Sequence, residues 1–142
     1  MFSREESKKL RQEFWTAFGQ QSSRKWILYN TKIKEVNLKF HFDNKIASLG
    51  FIIDTEDEIL KPYYFDKFLS LKALMLEEIN NDLVFEEHYE TDSGKIVAYI
   101  HLKIDQVSIH NKKTWPEVFD FFNTHMPRFE NFFLDYKEVI ES

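Results

Sequence analysis

The sequence has no cysteine, only three glycines and three prolines, and no long apolar run. Without cysteine, disulfide bonds and thiolate chemistry are excluded. The scarcity of glycine and proline leaves little room for flexible linkers, so a single domain over residues 1–142 is predicted. No stretch approaches the roughly 20 apolar residues that span a membrane. The N-terminal segment lacks the apolar core of a signal peptide, so we expect a cytoplasmic protein without membrane contact.

The patterns of common catalytic sites are missing as well. The glycines are isolated, so there is no glycine-rich phosphate loop, and no G-x-S-x-G motif occurs. A nuclease site of the P-D…[DE]-x-K type needs acidic residues and a lysine in the middle of paired strands, but the nearest candidates, Asp92 and Lys95, sit in a predicted turn. The converging carboxylates that two-metal cleavage requires are not found in the pattern. These absences favour a protein that is not an enzyme and binds no cofactor. A Ser-His-Asp triad from distant parts of the chain stays open.

The chain is rich in aromatic residues, and its charges are unevenly distributed. Aromatics make up 17% of the sequence, with 15 Phe, which predicts a large core or a core plus an interface. Residues 1–34 carry eight Lys or Arg and three Glu, whereas the remainder carries a net charge of -10. Either a basic helix docks on an acidic body, or the basic end binds an anionic partner.

The stretch from Val36 to Ile53 predicts a β-hairpin. Asp43 and Asn44 suit a two-residue turn, because both residue types tolerate positive φ. In that register Phe40 faces Ala47, and the odd and even positions separate into one apolar face and one mixed face. A slip of one residue would pair polar with apolar positions, so the faces are well specified.

A second hairpin is predicted over residues 83–102, with its turn at Thr91–Gly94. Placing Glu90 opposite Lys95 brings opposite charges together across the strands. The same register places Tyr89 and Phe85 on one apolar face. This face and that of the first hairpin require a covering layer, because an isolated hairpin is not stable.

Three S/T-x-x-E capping boxes predict the starts of three helices, at Ser3, Thr55 and Thr114. The first helix should end at Gly19. The second should reach about residue 80. The third should continue as one kinked helix across Pro127, with two abutting helices as the alternative. A short strand is also predicted at Trp26–Tyr29.

These elements predict an α+β fold. An antiparallel sheet would be built from two hairpins, each followed by a long helix, and an N-terminal helix would complete a two-layer sandwich. The second sheet face is not cleanly polar, because it carries apolar residues among its histidines and lysines: Ile46, Ile52, Val84, Val97 and Tyr99. A monomer seldom leaves a large apolar patch bare, so either the first helix or a second copy must cover it, and we expect a homodimer.

Two polar-aromatic groups are the candidate binding surface, since aromatic residues dominate binding hot spots. One group precedes the first hairpin and the other precedes the last helix: Trp26, Tyr29, Asn30 and Lys32, and Asn111, Lys112 and Trp115. In the alternative interpretation the tryptophans pack in the core and the asparagines fix turns. A weaker metal-site candidate combines Glu86, His88 and His101 on the mixed sheet face.

Five segments of the chain are similar to an uncharacterised bacterial family, the domain of unknown function 4268 family: FWTAFG (14–19), WILYNTKIK (26–34), SLKALM (70–75), VSIHNKKTWPEVFDFF (107–122) and FENFFLDYKEVI (129–140). The resemblance spans nearly the whole chain and implies one domain. It supplies no catalytic residue. Some members of such families carry a further nuclease-like domain, and the resemblance therefore implies a link to DNA or defence systems. We do not expect that further domain in a chain of this length.

The favoured interpretation is a non-enzymatic binding or accessory module that acts through protein-protein contacts. Its expected partners are a second copy or an unknown protein. The alternative is a nucleic-acid-associated module, or a nuclease-related accessory enzyme, of a bacterial DNA or defence system. Nucleic acid is the less favoured partner, because the net charge is -5.

Overall fold

A computed structural model describes residues 2–142, which form four α-helices and four β-strands. The helices are α1 (Arg4–Ser22), α2 (Leu60–Ser70), α3 (Lys72–Glu78) and α4 (Trp115–Glu141), and the strands are β1 (Val36–Phe42), β2 (Ile46–Ile53), β3 (Val84–Glu90) and β4 (Ile96–Asp105). All strand pairs are antiparallel, in the order β1-β2-β4-β3. No helix in this part of the chain combines the length and apolar character needed to cross a bilayer.

The helices pack on one face of the sheet, here called the inner face. Phe51 in β2 contacts Phe68 in α2 and Phe129 in α4, with ring centroids 4.7 and 5.6 Å apart. At the β1 edge, the ring of Phe40 lies 4.6 Å from that of Phe122. The α+β fold with one antiparallel sheet and a helical layer is therefore confirmed.

The first hairpin has the predicted faces but a different register. Phe40 pairs with Leu49 rather than Ala47, because the turn residues are Asn44 and Lys45. The side chain of Asp43 accepts hydrogen bonds from the backbone N–H groups of Lys45 and Ile46 and so closes the turn one residue later than predicted. A shift of two residues keeps every side chain on its face.

The second hairpin contains a β-bulge that the sequence did not predict. Glu86 pairs with Tyr99, but Tyr89 pairs with Val97, so two residues of β3 oppose one of β4. The predicted pairing of Glu90 with Lys95 is therefore wrong, and Glu90 pairs with Ile96. The extra residue moves Tyr89 from the inner face to the opposite one, here called the outer face.

Helix α1 joins the inner layer and does not cover the outer face. Its Phe14 contacts Phe42 of β1 and Trp115 of α4, at 4.7 and 5.3 Å between ring centroids. The capping box of Ser3 and Glu6 is present, as predicted. The helix continues past Gly19 to Ser22, because its left-handed C-cap is Ser23.

The other helix boundaries differ in detail from the prediction. Helix α2 starts at Leu60 and not near Thr55, because the carboxylate of Asp57 accepts hydrogen bonds from the N–H groups of Ile59 and Leu60. The single helix predicted to reach residue 80 is divided at Leu71 into α2 and α3. There the Ser70 hydroxyl donates to the Lys67 carbonyl, and the Leu71 N–H donates to the Phe68 carbonyl.

Helix α4 is one continuous helix with Pro127 in its interior, as predicted. Thr114 precedes it, but its hydroxyl bonds to Ser108 and Asn111 and does not cap the helix. The segment Trp26–Tyr29 is a turn rather than a strand. It is anchored by the buried carboxylate of Glu130, which bonds to Arg24 and to the Ile27 N–H.

Candidate functional site

The β3–β4 hairpin folds back over the outer face. Its turn lies beyond the Ile53 end of β2, whereas the β1–β2 turn lies at the Ile46 end, about 23 Å away along the strand at roughly 3.3 Å per residue. Nevertheless, a carboxylate oxygen of Asp92 in the β3–β4 turn lies within 4.8 Å of ring and carboxylate atoms of His41 and Asp43. The bulge in β3 supplies a bend, because an extra residue kinks the strand.

A cleft of about 300 Å³, here called the outer cleft, lies between the folded hairpin and the outer face. Its lining comes from all four strands and the β3–β4 turn: Lys39, His41, Ile52, Asp54, Tyr89, Thr91, Asp92, Ser93, Lys95, Val97 and Tyr99. This volume is at the lower end for small-molecule sites. It suits one or two side chains of a partner better than a large cofactor.

The floor of the outer cleft is apolar and well packed. Ile52, Val97 and Tyr99 are buried and form a cluster separate from the main core, and Tyr89 packs against it. The Tyr99 hydroxyl bonds to Ser48, with 2.9 Å between the oxygens. Burial raises the pKa of Tyr99, so its phenol stays protonated at neutral pH.

Polar groups around the cleft are already engaged with one another. The ammonium of Lys95 lies 2.6 Å from a carboxylate oxygen of Asp54. The ring nitrogen Nε2 of His41 lies 2.8 Å from a carboxylate oxygen of Asp43. Within residues 2–142, Lys39 forms no ion pair, so its ammonium is available to a ligand.

A buried histidine lies beside this floor. The His101 ring stacks on Tyr99 with 4.3 Å between centroids, and neither ring nitrogen has a hydrogen-bond partner. The Glu86 carboxylate is 3.7 Å away, which is too long for a hydrogen bond. Burial lowers the pKa of His101 although Glu86 opposes the shift, so the imidazole is neutral at pH 7. Gly50 pairs with His101, and a β-carbon there would collide with the Ile100 carbonyl.

The predicted group of Glu86, His88 and His101 does not assemble as a metal site. His88 is exposed in the bulge, and within residues 2–142 the group whose ligand atoms converge is His41, Asp43 and Asp92. The bulge explains the difference, because it breaks the alternation that would place His88 beside Glu86 on one face.

The first predicted polar-aromatic group lies along the β1 edge. Trp26 is half-buried against Phe18 and Phe40, with the Arg24 guanidinium 4.7 Å from its ring centre. Tyr29 is 67% exposed, so its phenol is the most accessible aromatic group of this set. Asn30 and Lys32 are also exposed.

The second predicted group serves the start of α4. Trp115 is buried, and its indole N–H donates to the Ile109 carbonyl, so it belongs to the core and not to a surface. Asn111 accepts a hydrogen bond from the Lys113 N–H, and Lys112 pairs with Glu13 at 2.6 Å. No ring contact joins the two tryptophans among the residues described, so the groups remain separate.

Sequence reasoning noticed the apolar residues of the outer face but missed the cleft above them. Ile52, Val97 and Tyr99 stand out because they break the polar alternation of that face. Tyr89 and Asp92 gave no such signal, because their positions depend on a one-residue bulge and on a long-range fold-back.

Comparison with known proteins places the chain in a family without assigning a role. No curated protein and no solved structure matches it. The model of the family described as Domain of unknown function (DUF4268) matches residues 10–137, which is most of the chain. The protein therefore belongs to the domain of unknown function 4268 family.

Proposed function

We propose that the protein is a non-enzymatic binding module that holds part of a partner protein in the outer cleft. The observation that supports this proposal most strongly is the contrast between the two sheet faces. The chain covers the inner face with all four helices, whereas the outer face keeps an apolar floor, an accessible lysine and a cleft. Concave sites with an apolar floor and a few polar groups are typical of binding sites.

The state of the polar groups favours binding over catalysis. The Tyr99 hydroxyl and the Asp54 carboxylate each have an intramolecular partner. A general base must be free to accept a proton from a substrate. Pre-formed pairs of this kind instead fix the shape of the cleft and leave recognition to Lys39 and the tyrosine rings.

The test is affinity capture from the source cells with mass spectrometry, comparing two charge reversals. Lys39→Glu places a negative charge in the cleft, and the matched control Lys34→Glu changes an exposed lysine outside it. The proposal expects partners that the wild type and Lys34→Glu retain and that Lys39→Glu loses. Identical sets of partners in all three would contradict it.

A second candidate partner is another copy of this chain. It is favoured by the position of α1, which lies on the inner side and leaves the outer face for an external partner. Static light scattering at micromolar concentration decides this case. A mass near twice 17.2 kDa supports the homodimer, and a mass near 17.2 kDa refutes it.

A further inference from the structure

We propose that His41, Asp43 and Asp92 bind one divalent transition-metal ion, Zn²⁺ or Mn²⁺, which fastens the β3–β4 hairpin to the β1–β2 turn. One imidazole nitrogen and two carboxylate oxygens of these residues lie within 4.8 Å of one another. His41 lies near the end of β1, Asp43 begins the β1–β2 turn and Asp92 lies in the β3–β4 turn, so their convergence is not a local run of acidic residues. This site is here called the turn-bridging site.

Two of the three ligands are held in place before any ion binds. Asp43 uses Oδ1 to accept hydrogen bonds from the N–H groups of Lys45 and Ile46, at 2.8 and 2.9 Å. Its Oδ2 is thereby directed toward His41.

The charges at the turn-bridging site call for a cation. Asp43 and Asp92 bring two carboxylates together, and within residues 2–142 no lysine or arginine forms an ion pair with either. Arg11 lines the adjacent recess without pairing with them. The Asp92 carboxylate also accepts no hydrogen bond from the residues described, so a bound cation would supply the attraction that holds it there.

The ligand set selects the class of ion. The imidazole favours Zn²⁺ over Ca²⁺ and Mg²⁺, which prefer all-oxygen sites, and the two carboxylates with water also suit Mn²⁺. His41 and Asp43 are half-buried and Asp92 is exposed, so water completes the coordination. This inference does not depend on what the outer cleft binds.

Titration of the metal-stripped protein with ZnCl₂ and with MnCl₂ in a calorimeter tests the site. We expect one ion per chain, and at least tenfold weaker binding in Asp92→Asn. Asp92 is exposed in a turn, so this variant should fold. Asp82→Asn, which makes the same change in another exposed turn, should bind as the wild type does. His88→Gln controls for adventitious binding at an exposed histidine.

Hydrogen exchange provides a second measurement that is independent of affinity. The metal should slow amide exchange in residues 89–95 of the wild type and leave Asp92→Asn unchanged. The proposal is overturned by the absence of saturable binding, by equal binding in Asp92→Asn, or by loss of binding in His88→Gln. Tighter binding of Mg²⁺ or Ca²⁺ than of both Zn²⁺ and Mn²⁺ would overturn the assignment to a transition metal.

Discussion

The inner and outer faces of one sheet are built from the same strands but meet different surroundings. The inner face packs its phenylalanines against four helices, and its residues are almost all apolar. The outer face mixes apolar side chains with a buried histidine, a buried serine and a tyrosine hydroxyl, beneath a hairpin of the same sheet. A fully packed face needs only hydrophobic contact, whereas the outer face retains polar groups at a cost in desolvation. The proposed binding role of the outer face rests on this difference.

The largest expected effect separates the two faces by adjacent residues of β1. Phe40→Asp should unfold the protein or cost roughly 4 kcal/mol or more, because it places a charge among the rings of Phe122, Phe18 and Trp26. Lys39→Gln, on the outer face, should change the free energy of unfolding by about 0.5 kcal/mol or less. Urea denaturation measures both. Similar losses in the two variants would show that the faces are assigned wrongly.

A smaller effect is expected for the buried hydrogen bond of the outer face. Ser48→Ala and Tyr99→Phe should each cost about 1–3 kcal/mol, because each leaves the other hydroxyl buried without a partner. The double variant should cost little more than either single change. Additive losses in urea denaturation would show that the two hydroxyls do not act as a pair.

The smallest effect is a dependence of stability on pH. Burial lowers the pKa of His101 from its unfolded value near 6.5, against the opposing charge of Glu86 and together with that of Lys103. Between the two pKa values, His101 binds a proton in the unfolded chain but not in the folded chain. The free energy of unfolding therefore decreases as pH falls from above 6.5 through the lower pKa of the folded state. His125, whose pKa burial also lowers, acts in the same direction.

Denaturant midpoints at pH 7.5 and 5.5 measure this effect. His101→Gln should lose less stability over that interval than the wild type, and His88→Gln, at an exposed position, should lose as much as the wild type. Equal losses in the wild type and His101→Gln would mean that folding does not lower the pKa of His101.

The sequence predicted the sheet faces because alternation survives a register shift of two residues. Phe40 and Leu49 are on the inner face in either register of the first hairpin. The bulge was not predictable, because nothing in the residues between Glu86 and Tyr89 distinguishes a bulge from a regular strand. Everything that depends on it was missed, including the position of Tyr89 and the approach of Asp92 to the other turn.

Helix caps show a second limit of sequence reasoning. The T-x-x-E pattern occurs at Thr55 and Thr114, but neighbouring groups compete for the same hydrogen bonds. The Asp57 carboxylate, and not the Thr55 hydroxyl, accepts the hydrogen bond from an N–H group at the start of α2. The Thr114 hydroxyl donates to a carbonyl of the preceding loop. The position of α1 was equally open, because an apolar stripe can pack against either face of a sheet. Only the fit of Phe14 between β1 and α4 decides it.

Lysine footprinting of the protein within its native complex tests the central claim most directly. Lys39 lines the outer cleft, and Lys72 lies exposed on the helical layer. The account predicts that Lys39 reacts with an acylating reagent in the isolated protein and is protected in the complex, while Lys72 reacts equally in both. Protection of Lys72 with continued reaction of Lys39 would contradict the claim that the outer face is the binding surface.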